Sequence, residues 1–351
     1  MVNFMLFSVV VPAYNVEKYL DESIRSIVEQ SSSIDNDLEI LLIDDGSIDN
    51  SGSICDSYEN KYPDLIRVFH KENQGLLATR RYGFKKASGK YIVNCDSDDL
   101  LEPGMLLKLK KVINKYADPD VILFNYNYMV GDTKKIAYKN IFSVESDIRV
   151  DKGSVLETFL KDHSVVSLCT KIYKRSCIDV DKDYSSFYKV ANGEDSLQSI
   201  ELYNKAESFI YINDALYDYR IGSGMTRRFD EDYYTGFKVV LEQIRNQKNS
   251  WNICDFEKLF AVKVMQTVGR AITQSRYGVW KSYTQQREYF TNIRNDEMVD
   301  AALSYLKSIK GYLQTDHYYL LTLLKFRLYF SICMLLHIKN TLGQIGRGKG
   351  K

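Results

Sequence analysis

Residues 91–100, YIVNCDSDDL, place three carboxylates, Asp96, Asp98 and Asp99, directly after an apolar run, with no Lys or Arg in the stretch to relieve their repulsion. Two chemistries suit such a knot. Asp favours turns and helix caps, and Pro103, suited to the first turn of a helix, follows closely. The other reading is a hard-cation site. Mg2+ or Mn2+ takes oxygen ligands, usually one or two protein carboxylates, and completes its shell with water and substrate phosphates. In a D-x-D-D arrangement one carboxylate can ligate the metal while another meets the sugar end of a nucleotide.

The elements that must position these residues follow from the hydrophobic periods. FSVVVPA (7–13), LEILLIDDGS (38–47), LIRVF (65–69), residues 90–94 and DVILFNYNY (120–128) read as strands. Between them lie helical segments; the first has Leu20, Ile24, Ile27 and Val28 on one face. Alternating strands and helices predict an α/β fold, a doubly wound, mostly parallel sheet with helices on both faces. Ligands in such sheets sit beyond the carboxyl ends of the strands. Three strand ends carry unusual residues: Tyr14-Asn15, Asp44-Asp45-Gly46-Ser47, and the acidic knot. Asp45 suits a base or ribose as well as a turn. Tyr14 is placed to cover a nucleobase, and Pro12 stiffens its loop. Arg80 and Arg81 lie on a helix facing these loops, where arginine suits a diphosphate; an arginine there is also commonly a solvated side chain.

Composition bounds the alternatives. A formal charge of +1 gives no reason to expect nucleic-acid binding. The six cysteines include no C-x-x-C pair and there are four histidines, so neither a zinc site nor a disulfide framework is signalled and a reducing cytoplasm is expected. The opening MVNFMLFSVVVPAYN lacks a basic region and a cleavage site, and reads as a first strand rather than a signal peptide. Past about residue 230 the pattern is helical. In the segment 318–340 the charge-free run Leu328 to Leu336 is far shorter than the ~20 residues a bilayer span needs. Residues 318–351 are therefore expected either to pack on the rest of the chain or a second subunit, or to dock on anionic lipid through Lys325, Arg327, Lys339, Arg347, Lys349 and Lys351.

The stretches VVVPAYNVEKYLDESIRSI, ILLIDDGSIDNSGSICD, HKENQGLLATRRYGFKKASGKYIVNCDSDDLLEP and NGEDSLQSIELYNKAESFIYINDALYDYR resemble, in order over residues 7–228, the family-2 glycosyltransferases. The resemblance implies a GT-A fold in residues 1–228, with a nucleotide-binding half (1–125) and an acceptor half (126–228), and a helical region at 229–351. It implies an inverting enzyme that takes a nucleotide-diphospho-sugar, a UDP-sugar among them, and passes the sugar to a glycan or lipid-linked acceptor at the inner face of the cell membrane in capsular or other surface polysaccharide synthesis. By the same resemblance Pro12, Ala13, Tyr14 and Asp45 hold the base, Arg80 lies beside the nucleotide, Asp96 approaches the ribose, and Ser97 also belongs to the nucleotide site. Asp98 is the main ligand of Mn2+ or Mg2+, with Asp99 supporting. Asp195 of NGED is the base that takes the acceptor's proton, with Glu194 as neighbour or alternative base. Arg220, Arg227 and Arg228 close on the diphosphate. Two residues depart from the family pattern: Ile48 in place of Thr, and Arg81 in place of Asn. A catalytically inactive sugar-nucleotide-binding or scaffolding protein on the same fold is the rival reading, although it needs neither Asp98 nor Asp195. A nucleotidyltransferase would open with a Gly-rich loop, and PAYNVEKYL contains no glycine.

Overall fold

The computed structural model describes residues 5–35, 37–138, 140–143, 145–188, 192–222 and 229–348, with side chains to residue 340. β1 (Phe7–Ala13), β2 (Leu38–Asp44) and, after β3 (Ile66–His70), β4 (Tyr91–Asn94) form as the apolar runs predict; β1, β2 and β4 are buried throughout. Burial on both faces is what continuous β-branched strands require. α1 (Glu17–Val28), α2 (Ser51–Lys61) and α3 (Leu76–Lys86) are the crossovers between them. α1 buries Leu20, Ile24 and Ile27, while Val28 is half-buried.

β1 pairs in parallel with β2 and β4, and β2 with β3. Beyond β5 (Leu100–Leu101) and α4 (Met105–Lys115), β6 (Val121–Val130) runs parallel to the last strand, β10 (Phe209–Arg220). The parallel pattern breaks between these two sets. β9 (Lys171–Lys174) lies antiparallel to both β4 and β6 and joins them. β7 (Thr133–Ile136) edges β6 and β8 (Ile148–Val150) edges β10, both antiparallel, giving the order β3-β2-β1-β4-β9-β6-β10-β5.

Close packing sets where α3 can lie. A Cβ at Gly83 would stand 2.4 Å from Cγ1 of Val10 and 3.3 Å from Cγ1 of Ile43, so only glycine lets α3 approach β1 and β2 this closely. That approach carries Arg80, one turn earlier, under the sheet's carboxyl edge. α5 (Lys152–Lys161) and α6 (Glu194–Lys205) follow β8 and precede β10.

Two compact units divide the chain, one of residues 1–155 and 163–224, the other of residues 156–162 and 225–351. Among the described residues the second is helical: α7 (Tyr233–Arg245), α8 (Lys248–Trp251), α9 (Phe256–Gln274), α10 (Tyr283–Arg294), α11 (Glu297–Ser304), α12 (Thr315–Lys325) and α13 (Tyr329–Gly348). α9 is its centre, burying Phe260, Val264, Met265, Val268 and Ile272 and packing against α7, α11 and α12. Among the described residues no helix is long and apolar enough to cross a membrane.

Candidate active site

Parallel pairing brings the carboxyl ends of β1, β2 and β4 to one edge. Ala13 lies beside Asp44 and Val10 beside Asn94, and the backbone N–H of Asp45 and of Cys95 donates to the carbonyls of Ala13 (2.9 Å) and Val10 (3.1 Å). Pro12 and Ala13 are buried within β1, and Tyr14 is the exposed member of the triplet at 51%. Asn15, at φ 48°, accepts from the N–H of Ile48 through Oδ1 (2.9 Å) and donates its own N–H to Ser47 Oγ (3.1 Å), binding the first two loops together. Ile48 itself points into solvent.

Asp45 is buried, and its oxygens are taken up by Lys71 Nζ and by the backbone N–H groups of Gln74 (3.0 Å) and Gly75 (2.9 Å). It thereby fixes the loop that opens α3. Its neighbour Asp44 accepts from Ser47 N–H (3.0 Å) and pairs with His70 Nδ1 (2.8 Å), whose Nε2 meets Asp56 (2.9 Å). The hydrogen bonds to Asp44 and Asp56 hold the His70 pKa above the ordinary imidazole value despite partial burial.

Arg80 organises the centre. Its guanidinium is buried, with one nitrogen 2.6 Å from Asp195 Oδ1 and the other 2.7 Å from Asp96 Oδ1. Asp195, 115 positions from Arg80 in sequence, and Asp96, 16 positions from it, are thus clamped on one cation. Burial opposes the charge, but the carboxylates of Asp96 and Asp195 outweigh it and keep Arg80 firmly ionised. Cys169 Sγ lies 3.9 Å from the same guanidinium. Arg81 turns to other partners: Glu201 (3.2 Å), the carbonyl of Asp179, and the ring of Tyr184, 4.8 Å away. It ties α6 to the segment before it, instead of joining the carboxylate cluster.

Gly193, at φ 96°, takes the left-handed conformation that starts α6 and sets Glu194 and Asp195 in its first turn. Burial, and then the adjacent charge of Asp195, push the Glu194 carboxyl up to about 7. Beneath Asp195 lies Lys171 of β9, fully buried, donating to the carbonyls of Val166 (3.0 Å) and Ser167 (2.7 Å) and to Ser199 Oγ (3.1 Å). Burial lowers its pKa to about 7, against the pull of Asp195.

In the acidic turn the aspartates differ. Asp99 is buried and both oxygens are occupied: Tyr217 Oη donates to Oδ2 (2.8 Å) and the N–H of Arg220 to Oδ1 (2.7 Å). Tyr217 Oη also accepts from the N–H of Asp96 (3.1 Å). Burial raises the Asp99 carboxyl to about 8, with the charges of Asp96 and Asp98 adding to the effect. Ser97 is buried, and Asp98 is half-exposed. Arg220, at the end of β10, donates through Nε to the carbonyl of Asp98 (2.8 Å) and pairs with Glu22 (2.7 Å), its guanidinium 4.9 Å from the Tyr19 ring. Arg227 and Arg228 lie outside the described residues. Among the described residues no group of three or more His, Cys, Asp or Glu is arranged as a ready ligand set for a metal ion.

The expected carboxylates therefore fall into two linked groups, Asp96–Arg80–Asp195–Glu194 and Asp98–Asp99–Arg220, joined through Tyr217. Tyr217, Cys169 and Lys171 were not anticipated. Tyr217 is one of 27 tyrosines, and no local pattern distinguishes it. Lys171 opens β9, a strand that only its long-range pairing reveals, and Cys169 lies in the 3-10 turn just before it.

Comparison with known proteins bears on the family and the fold. A family model described as Glycosyl transferase family 2 matches residues 8–179. The glycosyltransferase GlyG of Streptococcus pneumoniae is 32% identical over 233 residues, covering 65% of this chain and 74% of GlyG. The glycosyltransferase GlyA of the same organism is 32% identical over 227 residues, 63% of this chain but 31% of GlyA. The minor teichoic acid biosynthesis protein GgaB of Bacillus subtilis is 29% identical over 216 residues, 61% of this chain and 23% of GgaB. Among solved structures, S. aureus TarS 1–349 in complex with UDP-GlcNAc aligns over 97% of this chain and 92% of that one, with a TM-score of 0.65 at 20% identity. At that identity the likeness is one of fold. Ordered motifs, fold and relatives agree: the chain belongs to glycosyltransferase family 2.

Proposed function

We propose that residues 1–228 transfer a sugar, with inversion, from a nucleotide-diphospho-sugar to a hydroxyl of a glycan or lipid-linked glycan, in surface polysaccharide synthesis on the cytoplasmic side of the membrane. A UDP-sugar is the donor this reading favours, since the similar TarS fold was solved with UDP-GlcNAc and the relative GgaB takes part in minor teichoic acid synthesis. The observation that carries the reading is the Arg80 clamp, which places the carboxylate expected at the ribose, Asp96, and the carboxylate expected at the acceptor, Asp195, on either side of one buried guanidinium. A sugar bridging donor and acceptor sites would lie between them.

Inversion is a single displacement, so a base must meet the acceptor hydroxyl opposite the leaving diphosphate. In this reading Asp195 takes the hydroxyl's proton, its Oδ1 held on Arg80. Glu194, whose proton affinity lies near neutrality, is the neighbour able to share the proton. The carboxylates of the turn are of the kind that suits Mn2+ or Mg2+: Asp99 is buried with both oxygens engaged within the chain, and Asp98 is half-exposed. One protein carboxylate plus phosphates is the usual binding mode of these ions. A bound ion supplies charge neutralisation of the diphosphate; Asp98 would hold it, with Asp99 and Tyr217 fixing the turn. Tyr14 offers an exposed ring for the base, and Arg220 stands where a diphosphate would approach the turn.

A panel of nucleotide-sugars incubated with the protein and Mn2+, read as donor hydrolysis and as thermal shift, tests this. Hydrolysis of one donor class, abolished by Asp195→Asn, is the expected result. Binding of nucleotide without turnover by any donor and acceptor would favour the inactive binding protein.

A further inference from the structure

Helix α13 is apolar on two sides. Tyr329, Ile332 and Leu336 are buried in the second unit. The opposite side presents Phe330, Met334 and Ile338, at the i, i+4, i+8 spacing of a single helix face, with Leu335 exposed beside them. The corner that joins α12 to α13 adds Phe326 and Leu328, and α12 adds Tyr319. Phe326 and Phe330 are 66% and 67% exposed. Between the helices runs a groove lined by Tyr319, Leu320, Leu323, Leu335, Leu336 and Ile338, with the Asp316–Lys339 ion pair at its rim. Contiguous apolar surface of this kind on a folded chain marks an interaction site.

Charge identifies the occupant. From His317 to Lys351 the sequence has six Lys and Arg residues and no Asp or Glu, whereas the remainder has 41 basic and 46 acidic residues. The basic side chains within the described part are Lys325, which donates to the carbonyl of Leu303, Arg327, which donates to the neutral Asn295, and Lys339, whose charge is met by Asp316 just before the segment. Two copies joined through this face by a two-fold axis would set basic surface against basic surface. An anionic bilayer offers the complementary charge, with an apolar layer just beneath it. We infer that the α12–α13 corner is a peripheral docking surface for anionic phospholipid, its outer aromatic and aliphatic side chains entering the interface and the basic segment lying against the headgroups. The inner face of α13 packs within the second unit, so the helix lies along the membrane plane.

The test is co-sedimentation of the full chain with vesicles of phosphatidylcholine alone or with added phosphatidylglycerol. The expected result is binding that requires phosphatidylglycerol and falls on the order of tenfold between about 0.15 M and about 1 M salt, as the screening length drops from about 8 Å to about 3 Å. The double variant Phe330→Gln/Met334→Gln should lose binding by a similar factor while its melting temperature stays that of the wild type, because both side chains are exposed. Arg327→Gln should weaken only the phosphatidylglycerol-dependent part. Equal binding to both vesicles, no binding to either, or an unaltered double variant overturns the proposal. So does a dimer in size-exclusion chromatography that the double variant converts to monomer, which would make the face a contact between copies. None of these outcomes depends on donor turnover.

Discussion

Asp195 and Glu194 are adjacent in sequence but differ in what surrounds them. Asp195 is tied by Arg80 at 2.6 Å, whereas Glu194 is raised toward neutrality by burial and by the charge beside it. Asp195→Asn should therefore leave donor affinity nearly unchanged and lower turnover by roughly 10²-fold or more. Steady-state kinetics beside a donor titration would check this, and an equal loss of affinity and rate would place Asp195 in the nucleotide site instead. If the Glu194–Asp195 pair must be ionised to accept the acceptor's proton, wild-type turnover falls as pH drops through about 7, where Glu194 takes up a proton. Glu194→Gln should remove that limb from the pH–rate profile. Asp99 makes a separate forecast. Its folded-state pKa of about 8 lies above the ordinary Asp value of about 3.9, so between these values the native state binds the extra proton and stability declines as pH rises. A cation at Asp98 would offset the same charge. Mn2+ should thus raise the melting temperature more at pH 8 than at pH 5.5, and Asp98→Ala should abolish the difference; an equal shift at both pH values would count against the ion binding there.

At the scale of elements, polar groups at the two ends of the sheet do different work. At the end opposite the site, Glu39 of β2 is buried and accepts from Ser8 Oγ (2.5 Å), from Ser88 N–H (2.6 Å) and Oγ (2.8 Å), and from Gly89 N–H (3.2 Å). Burial favours its neutral form, yet these donors prevail and its pKa is lowered. Its contribution to stability is full above the unfolded-state value of about 4.3 and is lost as pH falls through the lower native value. Glu39→Ala strips several buried donors of their acceptor at once and should cost about 2–4 kcal/mol in denaturant unfolding at pH 7, with donor affinity unaltered. The sequence disclosed the elements on this side of the sheet well. β1, β2 and α1 are long or strongly periodic, β4 is a short apolar run marked by the acidic turn after it, and each end of a parallel strand could be read for chemistry without knowing its neighbours. β7 and β8 escaped because they are short and partly or wholly exposed, and β9 because a four-residue strand gains its place only from pairing with β4 and β6. The same limit applied to the site. Carboxylates in clusters announce themselves, but whether Arg80 faces solvent or two acids depends on how closely Gly83 lets α3 pack. The doubt over Arg81 had a similar origin, since its partners Glu201 and Tyr184 lie more than a hundred residues away.

On the scale of the whole molecule, the two units are not successive segments of chain. Leu156–Asp162, the latter part of α5 and the residue beyond it, belong to the second unit although the chain on both sides belongs to the first. Within the second unit the Phe159 ring meets Trp251 edge-on at 5.7 Å. Lys263, buried in α9, donates through Nζ to the carbonyls of Phe159 (2.8 Å) and Asp162 (3.2 Å). The inserted segment is thus held by packing and by the Lys263 amine bound to two of its carbonyls. A cut at residue 224, at the edge of the first unit, would consequently leave Leu156, Phe159 and Leu160, all buried in the full chain, without the unit to which they belong. Exposing them forfeits about 1.5–3 kcal/mol per side chain, a large share of the stability of an ordinary domain. The 1–224 fragment should therefore aggregate or melt well below the full chain, while the same fragment carrying Leu156→Gln, Phe159→Gln and Leu160→Gln should remain monomeric. Light scattering and thermal melts of the two fragments decide the matter. If the unsubstituted fragment is monomeric and melts like the full chain, residues 156–162 contribute nothing to the second unit that the first cannot replace. If only the substituted fragment is well behaved and it still hydrolyses donor, the catalytic groups gathered around Arg80 need the helical unit for stability alone.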